Sequence, residues 1–81
     1  MKTHSLTTTI SDYERCLNGS KTFQVRSNDR DFQTGDEVWL QEYDNDLNKF
    51  TGHQFKCIIT YVLHNPDILG KDWVIFSFKI K

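Results

Sequence analysis

Only one stretch of this chain, Ile10 to Leu17, places apolar residues at helical spacing; from Lys21 onward the period is two. That switch confines the fold to one early helix followed by strands. Ile10, Tyr13 and Leu17 mark the apolar face of the helix. Ser11-Asp12-Tyr13-Glu14 reads as an S-x-x-E capping box at its start, and Asn18-Gly19 as its stop. Thr3 to Thr9 is rich in β-branched residues and reads as a strand. Thr22, Gln24 and Arg26 alternate with Phe23 and Val25, which predicts a half-buried strand with a polar working face. Glu37 to Tyr43, Gln54 to Leu63 and Trp73 to Ile80 complete the set, and the apolar residues on both faces of the second predict a central position. Asp44 to Gly52 reads as a polar loop. The expected class is α+β, mostly β, with one main N-terminal helix and a short sheet that buries its edges by closing into a small barrel. Phe23, Val25, Val38, Leu40, Ile58, Val62, Phe76 and Phe78 are expected to fill it.

Composition narrows the class further. A chain of 81 residues allows one domain, 1–81, and its 14% aromatic content excludes disorder. No apolar run approaches the roughly 20 residues of a membrane span, and the first residues form no signal-peptide core, so a cytoplasmic protein without membrane contact is expected. Cys16 and Cys57 stand alone, without CxxC spacing or a His at ligand distance. They read as reduced, buried thiols; no metal and no cofactor is implied. A net charge of −1 is low for a nucleic-acid binder, so any such contact must come from a local cluster.

The densest cluster runs from Gly19 to Asp36. Lys21 and Arg30 offer cationic donors, Arg26 a planar fork for phosphate or carboxylate, and Asn28 an amide able to read a base edge. G-x-K-x-x-x-x-R, then N-D-R-x-F-x-x-G-D, a Val/Leu strand ending in Glu42-Tyr43 and a later Thr51-Gly52 resemble the ASCH domains (activating signal cointegrator homology) of the PUA-like superfamily. The likeness is strongest to a small bacterial and phage subfamily consisting of little more than this domain. The His4-x-Leu6 start and the strand Lys56 to Leu63 fit it too. It implies a small PUA-like β-barrel and an RNA- or modified-nucleotide-binding module. The implied cleft lies at the helix-to-strand junction, with Lys21, Gln24, Arg26, Asn28 and Arg30 as ligand contacts.

One ASCH branch hydrolyses acylated cytidine with the motif lysine, a threonine three residues later and a late-strand glutamate. Here Gln24 occupies the threonine position and Trp73 to Ile80 holds no acid, so no catalytic residue is assigned. That amidohydrolase activity and a non-catalytic protein-interaction module are the alternatives.

Each feature also has a plainer reading. Arg26 can pair with Asp29, Asp36 or Glu42, Asp29 can brace its loop, and Gly35-Asp36 reads as turn chemistry only. His4 reads as a satisfied structural residue. Trp39, Tyr43 and Trp73 read as core or edge cover before stacking platforms. Asp44-Asn45-Asp46 reads as a solvated loop.

Overall fold

β4 (Lys49–Leu63) is the longest element of the computed structural model, which describes every residue from Met1 to Lys81. Around it lie β1 (Thr3–Thr9), α1 (Ile10–Leu17), β2 (Phe23–Ser27), β3 (Glu37–Asp44), the short helix α2 (Pro66–Leu69) and β5 (Trp73–Ile80). The strands form one sheet in the order β1-β3-β4-β5-β2, with β4 in the middle. β1 and β3 are parallel, and the other neighbours are antiparallel. No helix is long and apolar enough to cross a membrane.

The sheet curls into a half-barrel. No ladder joins β1 to β2, so the closure expected from the sequence is replaced by a seam between two edge strands. Leu6, Val38, Leu40, Ile59, Val74 and Phe76 fill the concave side, together with Cys16, Cys57, Phe32 and Phe78. Cys16 and Cys57 are free thiols in this core, and burial pushes the Cys57 thiol up to about 12.

Several expected side-chain directions are reversed. On β2, Phe23 and Val25 face outward at 43% and 49% exposure, whereas Gln24 is 2% exposed. The inner side of this edge strand meets the polar flank of α1 rather than the core, so Gln24 finds hydrogen-bond partners there that Phe23 would leave empty. On β4, Cys57 and Ile59 point inward and Ile58 does not. A bulge between Ile59 and Tyr61 then shifts the phase, which brings Val62 back against the core. On α1, Tyr13 and Cys16 are buried while Ile10 and Leu17 remain exposed. Tyr13 packs on Phe55 with ring centres 5.2 Å apart.

β4 also begins before the expected boundary. Asp44 pairs with Lys49 and Tyr43 with Phe50, and the Tyr43 and Phe50 rings meet edge-on at 5.0 Å. The hairpin therefore extends past the core, where side-chain polarity carries no inside-outside signal. Only residues 45–48 remain as the turn, with Asp44 Oδ1 accepting from the Asp46 and Leu47 amides.

Asp36 is more than a turn residue. Its carboxylate, 2% exposed, accepts from the Lys2 and Gln33 amides at 3.0 and 3.1 Å and lies 2.9 Å from His4 Nε2. His4 is thus a satisfied structural residue, and its ring packs on Phe32 at 4.7 Å. The pair ties β1 to the start of β3 and to the loop carrying Arg30 and Phe32. Burial raises the Asp36 pKa, but His4 and the two amides outweigh it and hold it below the ordinary carboxylate value.

Candidate functional site

The seam opens as a cleft of about 390 Å³ between β1, the first turns of α1 and β2. Local sequence sets its walls. Thr9, not Ser11, caps α1, with its hydroxyl accepting from the Asp12 amide at 3.3 Å. Asp12 therefore occupies the third helical position, where an acid complements the helix dipole. Its side chain turns into the cleft instead of reaching back to the cap. Asn18 N–H bonds to Glu14 O at 2.9 Å, and Gly19 takes the left-handed φ of +86° that turns the chain toward Lys21.

A polar network follows. Asp12 pairs with Lys21 Nζ through Oδ1, and Oδ2 accepts from Thr8 Oγ1 at 3.1 Å and Gln24 Nε2 at 3.2 Å. Gln24 Nε2 also reaches Cys16 Sγ at 3.1 Å. Gln24 Oε1 accepts from Arg26 Nε at 3.1 Å and Nη2 at 2.7 Å. The amide of Gln24 is fully committed: it anchors to α1 on one side and holds the Arg26 fork on the other.

The charges in this network are unevenly satisfied. Burial pulls the Asp12 pKa up, but hydrogen bonds from Lys21, Gln24 and Thr8 carry it below the ordinary value. Arg26 is the reverse case. It is partly buried, and no carboxylate lies within ion-pair distance. Burial lowers its pKa, more distant Asp12 offsets this, and Arg30 adds to it. A partly buried guanidinium bonded only to a neutral amide keeps unused donors that an anion would satisfy.

Arg26 also lines a second hollow of about 120 Å³, with Leu6, Ser27, Asp29, Arg30 and Phe32. There Arg30 Nη1 donates to Ser5 O at 2.8 Å, and Arg30 Nε lies 4.0 Å from Asp29. Arg26 thus stands between two adjoining depressions along one seam.

A family profile described as a domain of unknown function (DUF3850) matches residues 3–78. The chain belongs to this family. No curated protein matches it. The matched span of the DUF3850 domain begins with β1 and includes both edge strands, α1 and the seam.

In this DUF3850 domain Lys21, Gln24 and Arg26 line one cleft, and Arg30 joins Arg26 in the next. Asn28 lies apart. Its side-chain amide meets His64 Nε2 at 2.9 Å and its backbone N–H donates to Asp72 O, so it docks the loop on the β4–β5 connection. Gln24 holds Arg26 and has no free group for a ligand. Sequence reasoning missed Asp12, Thr8 and Arg15, all of which line the cleft. The only available signal was Asp12 at the start of a helix feeding a lysine strand; register on β1 depended on tertiary pairing.

Proposed function

We propose that this DUF3850 domain binds RNA through its ribose-phosphate backbone. Arg26 receives a phosphate in the seam, with Lys21 and Arg15 beside it. The observation that carries this reading is the partly buried Arg26 guanidinium without a counter-ion. The Nη1 group of Arg26 has no protein acceptor, which leaves donors for phosphate oxygens. Thr7, Thr9 and Ser11 add hydroxyls suited to ribose and phosphate oxygens. No aromatic side chain lines the cleft, which favours backbone over base recognition there.

The resemblance to ASCH domains supports the same reading, with the half-barrel as a PUA-like scaffold. Gln24, at the position of the hydrolytic threonine, is engaged by Arg26 and Asp12, which favours binding over turnover.

Fluorescence anisotropy of a labelled twelve-residue oligouridylate across a salt series tests the proposal. Each phosphate contact contributes a log–log slope of about −0.7 on a single strand, so two or three contacts predict about −1.4 to −2.1. Affinity independent of salt would contradict it.

A further inference from the structure

We propose that the outward face of β2, β5 and the second half of β4 stacks the bases of a single-stranded nucleic acid whose phosphates enter the seam. The inference rests on the phosphate reading of Arg26 and adds the partner's class, an unpaired strand rather than a duplex.

Three aromatic side chains stand on this face, Phe23 at 43%, Trp73 at 49% and Tyr61 at 62% exposure. Phe23 and Tyr61 both oppose Ser77 of the intervening strand, and Trp73 opposes Ser27. At about 4.8 Å between strands and 3.3 Å along one, the rings mark a triangle with sides of roughly 10 to 15 Å. That area suits two or three splayed bases, about the number a small sheet face stacks.

Charge favours a polyanion over other occupants. The chain has 11 acidic residues and a net charge of −1, yet β2, β4 and β5 contain no Asp or Glu. Lys79 lies beside the face, and Lys21 connects it to the cleft. Lys21 Nζ pairs with Asp12 in the seam and sits 5.3 Å from the Phe23 ring centre. A strand can therefore pass over edge β2 with phosphates on the Arg26 side and bases on the Phe23 side. Between Phe23 and Tyr61 the face is polar, since Thr60 Oγ1 and Ser77 Oγ share a hydrogen bond of 2.7 Å, and toward Trp73 it is apolar, with Val25 and Leu63 flanking Ile75. Unstacked bases meet it with ring faces and polar edges together. A duplex keeps its bases stacked and gives these rings nothing to hold.

The test uses the full chain with Trp39→Phe, so that Trp73 is the sole tryptophan reporter. The twelve-residue oligouridylate is expected to quench Trp73, whereas a blunt RNA duplex of equal length leaves its emission unchanged. In parallel, anisotropy with Phe23→Ser and Tyr61→Ser is expected to show about 5- to 100-fold weaker oligouridylate binding, with the salt slope retained. Arg26→Ala is expected to lower both affinity and slope. Loss with Arg26→Ala but wild-type binding by both aromatic variants, with Trp73 unquenched, would overturn the stacking face and leave the phosphate site standing. Loss with the aromatic variants and none with Arg26→Ala would overturn the phosphate site instead. Sedimentation showing a dimer that Phe23→Ser dissociates, without oligouridylate binding, would make the face a contact between copies and overturn the inference.

Discussion

Arg26→Ala is expected to weaken oligouridylate binding by about 10- to 100-fold, the weight of one or two charge-assisted hydrogen bonds lost from the complex. Its log–log salt slope should become shallower by about 0.7. Folding stability should change little, because the substitution removes a desolvated charge and leaves Gln24 Oε1 beside an open cleft that water can enter. Arg26→Lys separates charge from geometry. A lysine supplies the positive charge but cannot keep two donors on Gln24 Oε1 while presenting others to phosphate. It should retain most of the salt slope and recover only part of the affinity. Anisotropy and thermal melts of the two variants measure both quantities on the same samples. Wild-type affinity in Arg26→Ala would remove the basis for the cleft assignment.

The second large effect concerns stability rather than binding. Asp36→Ala leaves His4 and the Lys2 and Gln33 amides without their shared acceptor. Removing one partner of a buried pair costs about 3–5 kcal/mol. A chain of 81 residues holds about 4–12 kcal/mol in total, so this loss removes about a quarter or more of it. At about 4–8 °C per kcal/mol for domains of this size, the melting temperature should fall by 12 °C or more. The sign with pH follows from the depressed Asp36 pKa. The stabilising contribution is complete above the ordinary carboxylate value and disappears as pH falls through the lower, folded-state value. Wild-type stability should therefore decline below about pH 4, with Asp12 contributing in the same direction. Asp36→Asn should show a lower neutral-pH melting temperature and a smaller loss on acidification. Equal pH dependence in the two proteins would show that the pair does not carry the effect.

The contrast between these residues shows what the sequence made legible. The extent of helix α1 was readable from its one helical period and its Asn18-Gly19 stop, but its N-cap was not, since Thr9 rather than Ser11 caps it, and Ile10 and Leu17 stay exposed. Lys21 and Arg26 were readable as cations at the mouth of and along the strand after a helix. Which way β2 faced was not. Period-two alternation is symmetric between the two faces, and only the partner surface decides which set is inside. Here that surface is the Asp12 and Cys16 side of α1, so the amide went in and the phenyl ring out. Asp12 was hidden by the same dependence on tertiary context. It read as part of a cap, whereas its carboxylate organises Thr8, Lys21 and Gln24 across the seam. Asp36 read as turn chemistry because its partner His4 lies far away in sequence, on a strand placed beside it by parallel pairing.

The most direct test of the central claim is side-chain NMR of arginine-labelled protein titrated with oligouridylate. The Arg26 Nε–H resonance, assigned by its loss in Arg26→Lys, is expected to shift progressively and saturate with the binding curve. The Arg30 resonance should move less, since that guanidinium already donates to Ser5 O and neighbours Asp29. Saturating binding with an unmoved Arg26 signal would place the RNA elsewhere and contradict the account.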